Sequence, residues 1–141
     1  MERNENSYDP SRPRITLIHG RGSVALIKLV WLGVLYKVSI YQRHLKALLF
    51  LHRALAQDEG LDEEFRGLRT NAEIAESYAE NDPLGYVPSG QAIAAYRSQI
   101  HRLIKKVVPP DCPHRLMRTV RGAGVRLIDG IVVIDLSERS E

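Results

Sequence analysis

The chain has 141 residues, of which 44% are hydrophobic and 26% are charged, and its formal net charge is +3. This length favours a single domain that can bury a core of its own without stapling disulfides. The composition is ordinary for a globular protein and argues against a wholly disordered chain.

The single cysteine indicates the compartment of the protein, and the polar segments at the two ends of the chain indicate the domain boundaries. Cys112 is the only cysteine, so an intrachain disulfide is excluded, and Cys112 with His114 supplies at most two zinc ligands. The first residues lack the apolar segment of a secretory signal, and the most apolar run contains two lysines. We therefore expect a cytoplasmic protein without membrane contact. Its expected parts are a disordered tail at 1–14, one domain at 15–136 and a polar tail at 137–141.

The first elements predicted are strands. Residues 15–18, 24–32 and 34–38 are rich in Val, Ile and Leu. Turn residues separate them, at 19–23 and at Gly33. This pattern predicts an N-terminal antiparallel sheet.

Helix signals follow the strands. Ser39 to Gln42 has the form of a capping box, and the helix that it opens is expected to bury a leucine stripe and to end near Gln57. An acidic connector at 58–64 leads to a second capping box, Thr70 to Glu73. A third helix is expected at about 89–107.

The third helix is predicted to have two unlike sides. Its apolar side comprises Ile93, Tyr96, Ile100, Leu103 and Val107. Its opposite side comprises Ala94, Ser98, His101, Arg102 and Lys105. Small, polar and cationic side chains together are suited to the major groove of DNA.

The C-terminal part is predicted to be β structure. Residues 116–120 and 125–128 form two strands around a glycine-containing turn at 121–124. Asp129-Gly130 is a two-residue hairpin signal that leads to a last strand at 131–136. This strand pairs either with the N-terminal sheet or with the same strand of a second copy.

Positive charge is concentrated in one segment. Residues 97–126 contain eight Lys or Arg and one acid, a net +7, so the remainder of the chain sums to −4. A basic block on ordered elements is typical of a nucleic-acid-binding face. The alternative is a solvated surface that is merely basic.

Three residue strings carry a family resemblance. RTVRGAGVRL at Arg118 to Leu127, IHRLIKK at Ile100 to Lys106 and VSIYQ at Val38 to Gln42 are similar to the wing, the recognition helix and the first-helix start of OmpR/PhoB-type effector domains. The resemblance spans roughly residues 15–128. It implies an α+β winged helix-turn-helix with an N-terminal antiparallel sheet, three helices and a C-terminal β-hairpin wing.

The resemblance also implies roles for individual residues. Arg102 would contact a base or a phosphate from helix 89–107 in the major groove, and Arg121 would enter the minor groove from wing 116–128. Arg97, Lys105 and Arg118 would neutralise phosphates, while His101 either faces the groove or has no role. The predicted DNA-binding set is Arg97, Ser98, His101, Arg102, Lys105, Lys106, Arg118, Arg121 and Arg126, with Gly122 and Gly124 shaping the wing turn.

The chain departs from the family at several points. Ile104 stands where the recognition helix has a second arginine, and Val125 replaces the wing tyrosine. Too few residues precede the first helix for the family's receiver domain, so we expect a stand-alone module without its phosphorylation switch.

These inferences predict a stand-alone transcriptional regulator that binds double-stranded DNA sequence-specifically. The expected partners are DNA and a second copy as a homodimer on DNA. RNA polymerase is a further candidate partner from the resemblance, in which the region corresponding to 80–88 contacts it, but the sequence of this loop does not match well enough to carry that role over. The open alternative is a winged-helix protein–protein interaction module with weak or no DNA specificity. No catalytic residue, metal site or cofactor is predicted, so we expect no enzyme activity.

Overall fold

The computed structural model describes residues 12–20 and 24–136. These residues form an α+β fold with a four-stranded sheet, three helices and a separate two-stranded sheet. The elements are β1 (Arg14–His19), β2 (Val24–Trp31), β3 (Val34–Tyr41), α1 (Gln42–Gln57), α2 (Asn71–Glu80), α3 (Gly90–Lys105), β4 (Met117–Val120), β5 (Gly124–Leu127) and β6 (Val132–Asp135). Residues 1–11 of the tail predicted at 1–14, the tail predicted at 137–141 and turn residues 21–23 lie outside the described residues. Arg14, which was assigned to the first tail, is already part of β1.

The large sheet has the strand order β3-β2-β1-β6. Its first three strands are antiparallel neighbours, as predicted, whereas β6 joins β1 in parallel. Leu32 and Gly33 connect β2 to β3 with φ of 51° and 80°. Two successive residues with positive φ are typical of the type I′ turn, whose twist matches that of a hairpin.

The helices cover one face of this sheet. Alternate strand residues such as Leu17, Ile27 and Leu29 are fully buried, as are Leu45 and Leu48 of α1. The alternate side chains of the strands and the leucine stripe of α1 therefore pack against each other in one apolar layer. The predicted leucine stripe and the predicted end of α1 at Gln57 are confirmed.

Ile104 completes the buried side of α3. Together with Ile93 and Ile100 it is almost wholly inaccessible, whereas Val107, predicted to be inward, lies beyond the helix end and is exposed. Ile104 is therefore a core residue and not a base-reading position that has lost its arginine.

One of the two predicted capping boxes is wrong. Ser39 and Ile40 belong to β3, where they pair with Leu26 and Ala25, and Tyr41 precedes α1 without a side-chain cap. Pairing of β3 with β2 uses the backbone groups that a helix cap at Ser39 would need. At α2 the capping box is confirmed, since Thr70 and Glu73 each accept the other's backbone N–H, at 3.1 and 2.8 Å.

The predicted hairpin at Asp129-Gly130 is also wrong. A turn with φ of 86° at Gly130 is present, but β5 and β6 do not pair. The outer edge of β5 is taken by Arg69, which exchanges both backbone hydrogen bonds with Val125, at 2.9 and 2.8 Å. The last strand, β6, therefore pairs with β1 and not with β5, which confirms the predicted alternative that it joins the N-terminal sheet.

Candidate nucleic-acid interface

The solvent side of α3 is a continuous polar and cationic stripe. At about 100° per residue its members fall within one narrow sector of the helix surface. The exposed residues are Gln91, Ala95, Ser98, Arg102, Lys105 and Lys106. Ser98, Arg102 and Lys105 were predicted on this side, and Lys106 was predicted only as a DNA-binding residue. Ala94 was predicted where the structure exposes Ala95.

A second exposed cationic element is the β4–β5 hairpin. Arg118 on β4 and Arg121 at the tip are both exposed. The amide of Ala123 donates to the carbonyl of Val120 at 3.0 Å, which closes the tip, and Gly122 takes a φ of 78° there. A residue with a Cβ is strained in that conformation, so the predicted requirement for glycine is met at this position.

His101 joins this hairpin to α3. Its Nε2 accepts the backbone N–H groups of Leu116 and Met117, at 3.2 and 3.3 Å. Burial, followed by the nearby charges of Arg115, His114 and Arg97, lowers the pKa of His101 to about 4. The neutral imidazole that both hydrogen bonds require is therefore the stable form at neutral pH, and His101 positions the hairpin instead of facing solvent.

The base of the hairpin rests on the connector between α1 and α2. An ideal Cβ on Gly124, whose φ is 132°, would lie 2.4 Å from the carbonyl oxygen of Arg69. The Arg69 guanidinium in turn forms an ion pair with Asp58 at 2.8 Å. Hydrogen bonds from Arg69 and from the Gly67 amide lower the pKa of Asp58. This first acid of the connector is thus structural, and Gly124 permits a close backbone contact.

A cavity of about 410 Å³ separates the start of α2 from the hairpin tip. It is lined by Thr70 and Asn71 of α2, by Arg97 of α3 and by hairpin residues 119–125. A guanidinium nitrogen of Arg97 donates to the Asn71 side-chain oxygen at 2.8 Å, and burial lowers the pKa of Arg97. Arg97, which was predicted to contact a phosphate, is therefore half-buried and faces the cavity instead of the open surface.

The cavity and His101 establish how the two cationic elements are related. Arg97 and His101 lie on the side of α3 next to Ser98 and Lys105, and both contact or face the hairpin. The exposed stripe of α3 and the hairpin tip are consequently neighbours on one side of the molecule. We call the set Ser98, Arg102, Lys105, Lys106, Arg118 and Arg121 the basic face.

The cations of the basic face are not neutralised. Among the described residues, the ion pairs found involve His19, Arg69 and Arg126, and none involves a residue of this face. Its charge is therefore available to an anionic partner.

Arg126 does not belong to the basic face, which corrects its predicted role. The residue is only 1% exposed. It donates to the backbone carbonyls of Glu63 and Leu127 at 3.0 and 3.2 Å and to the Asp129 carboxylate at 2.9 Å. A guanidinium held by three acceptors inside the fold cannot reach DNA, so Arg126 is a structural cation.

Sequence reasoning missed several residues of this region. Asn71 and Thr119 line the cavity, and Gln91 extends the exposed stripe to the first turn of α3. The Thr70 capping box placed the start of α2 correctly, but no local pattern indicates that this helix start lies beside a hairpin tip far along the chain.

Comparison of the chain with protein-family models, with curated proteins and with solved structures finds no match. Within residues 12–20 and 24–136 no helix is long and apolar enough to cross a bilayer. The same residues contain no cluster of three or more His, Cys, Asp or Glu side chains that could hold a metal ion.

Proposed function

We propose that the protein is a sequence-specific double-stranded DNA-binding regulator of the winged-helix type. The observation that carries the proposal is that Arg97 and His101, on the side of α3 next to the exposed stripe, face or contact the β4–β5 hairpin and the segment before it, which makes the stripe and the hairpin adjacent. In this arrangement α3 enters the major groove and the hairpin acts as the wing on the neighbouring minor groove. The similarity of the hairpin string to OmpR/PhoB-type wings supports the same assignment.

The basic face divides into two kinds of contact. Arg102 lies at the middle of the exposed stripe and suits a bidentate contact to guanine, which contributes about 1–3 kcal/mol of discrimination. Lys105 lies at the margin of the stripe and Arg118 lies on the hairpin. Both suit phosphates, which contribute affinity without sequence information. Arg121 at the tip suits a narrow minor groove, where the negative potential is enhanced.

The cavity supplies a further contact for the DNA backbone. Arg97 approaches it from one side, and the positive end of α2 approaches it from the other. Held by Asn71 at 2.8 Å, the Arg97 guanidinium is already oriented before DNA arrives. A phosphate of the strand that crosses between helix and wing fits this position.

The test is selection from random duplexes followed by binding titrations of single variants across salt concentrations. We expect Arg102→Ala to lose discrimination at one position of the site. Lys105→Ala should weaken all duplexes alike and reduce the salt slope by about 1. Lys37→Ala, an exposed cation on the large sheet, is the matched control and should bind as the parent does. Absence of salt-dependent binding to any duplex contradicts the proposal.

A second candidate function is protein binding through the loop between α2 and α3. Leu84, Tyr86 and Val87 are exposed there, and Leu84 is 93% accessible. Exposed apolar side chains on a loop are suited to a protein partner, for which RNA polymerase is the candidate that the family resemblance suggests. Retention of a partner after nuclease treatment, and its loss in Tyr86→Ala, would favour this function. Loss of every partner on nuclease treatment would oppose it.

A further inference from the structure

Arg97 is a half-buried cation without an acidic partner among the described residues. One of its guanidinium nitrogens, Nη1, donates to the side-chain oxygen of Asn71 at 2.8 Å, and that group is neutral. The ion pairs found within residues 12–20 and 24–136 do not include Arg97. A charge removed from water is costly unless an opposite charge is supplied. The surroundings of Arg97 therefore favour an anion from outside the chain.

The cavity that Arg97 faces has the size of a small-molecule site. Its volume of about 410 Å³ lies within the range of roughly 300–1,000 Å³ that is typical of such sites. A phosphate group alone occupies only a small part of this space. Arg121 is a second cation in the lining, and none of the residues that line the cavity is acidic. The cavity is consequently suited to an anionic ligand that carries a larger body.

The hairpin wall of the cavity is part polar and part apolar. Thr119 and Val125 are directly opposed in the β4–β5 pair, and both line the cavity. The Thr119 hydroxyl can donate a hydrogen bond to an anion, whereas Val125, Val120 and Ala123 supply apolar surface. A few polar groups set in an apolar wall are typical of a site that orients a small molecule.

We propose that this cavity binds a small phosphate ester, about the size of a mononucleotide, with its phosphate on Arg97. The Nε and Nη2 groups of Arg97, which Asn71 does not engage, form the fork that binds phosphate oxygens in a bidentate manner. Arg121 and the Thr119 hydroxyl line the same space and suit the remaining oxygens. The organic part of the ester lies against the apolar wall of the hairpin.

The ligand would regulate DNA binding. Because the proposed function sets a DNA phosphate in this same cavity, the ester and the duplex exclude each other, and the ester acts as an effector that releases DNA. This consequence rests on the proposed function, whereas binding of the ester does not.

Calorimetric titration of the full chain without DNA tests the site. The probes are AMP, ribose 5-phosphate, adenosine and inorganic phosphate. At least one of the two esters should bind one-to-one and about tenfold more tightly than inorganic phosphate, because its body buries apolar surface, and adenosine should not bind. The tighter of the two esters identifies the source as nucleotides or as sugar phosphates. If neither ester binds more tightly than inorganic phosphate, the proposal is overturned.

Asn71→Asp tests the role of Arg97 without removing it. The new carboxylate stands where Arg97 already donates, so it supplies the missing counter-charge from within the chain. Affinity for the tighter ester should fall about tenfold or more, as in Arg97→Met, since a charge-assisted hydrogen bond is weakened or lost. The melting temperature of Asn71→Asp should not fall, because an acid in the first turn of a helix is favourable.

Arg53→Met, which changes an exposed arginine of α1, is the matched control and should bind the ester as the parent does. Equal affinities in the parent and in Asn71→Asp would overturn the proposal.

DNA titrations with the ester present test the regulatory role. The apparent dissociation constant for DNA should rise in proportion to the concentration of free ester once the site is saturated. An unchanged DNA affinity at a saturating ester concentration refutes the effector role. If the chain binds no duplex at all, the proposed function fails, and the calorimetric titration still decides whether the cavity binds a phosphate ester.

Discussion

Arg126 and Arg118 test whether burial separates a structural cation from a DNA-binding one. They are directly opposed across the β4–β5 hairpin, but Arg126 is buried and Arg118 is exposed. In Arg126→Met, the Leu127 carbonyl loses the guanidinium donor, and an unsatisfied buried acceptor costs about 1–3 kcal/mol, whereas the Glu63 carbonyl still accepts the Arg66 amide at 3.3 Å. The Asp129 side chain is 59% exposed, so water replaces the guanidinium there at little cost. Because Arg126→Met no longer buries a cation, the desolvation cost of that charge disappears and offsets part of the lost stability.

The expected net loss in the free energy of unfolding is about 1–2 kcal/mol. For a chain of this size that corresponds to a fall in melting temperature of roughly 3–8 °C. Urea denaturation followed by circular dichroism measures the free energy directly. Arg118→Met is the control, since an exposed side chain without an ion pair should change stability by less than about 0.5 kcal/mol.

DNA binding should respond in the opposite way. Arg118→Met should lower affinity and reduce the salt slope by about 1. Arg126→Met, measured at a temperature where it is folded, should keep the slope of the parent. If Arg126→Met is as stable as the parent and also lowers the slope, then Arg126 leaves its buried position to contact DNA, and the reasoning is refuted.

Two further outcomes follow from the hairpin and from the buried histidines. Gly124→Ala should lower the free energy of unfolding by about 2 kcal/mol or more, because its Cβ meets the Arg69 carbonyl and the positive φ adds strain. Gly122→Ala, which has open space around it, should lose only the strain of about 1 kcal/mol. Equal losses for the two variants in thermal melts would contradict this. Burial lowers the pKa of His44, which lies 2.7 Å from the Tyr78 hydroxyl, and of His101 from 6.5 to about 4. The unfolded chain therefore binds protons first, so stability is complete above pH 6.5 and falls as the pH drops towards 4. Melting temperatures across this range should fall less steeply in His44→Phe/His101→Gln, and identical slopes would be the contrary result.

Local signals in the sequence predicted those parts of the fold that local interactions determine. The Thr70 box, the Ser89 cap, whose hydroxyl accepts the Ala92 amide at 3.1 Å, and the end of α1 all depend on residues within one helical turn. Ser39 failed because its strand partner, Leu26, comes from another part of the chain. A local capping signal cannot report that a ladder already uses the same backbone groups.

The candidate site shows the same division. Ser98, Arg102 and Lys105 could be assigned to the exposed side of α3 from helical spacing alone. Arg126 could not be told from Arg118, since the carbonyl of Glu63 that buries it lies in the connector after α1. His101 was likewise ambiguous, because its two amide donors belong to the segment after the helix ends.

The parallel pairing of β1 with β6 has a consequence for synthesis. β1 is the first described element to leave the ribosome and β6 is the last, yet Leu17 and Val133 are neighbours in the finished sheet. Until β6 emerges, β1 presents an uncovered strand edge. Pairing between strands so far apart in sequence is slow, and the unpaired edge makes the incomplete chain vulnerable to aggregation.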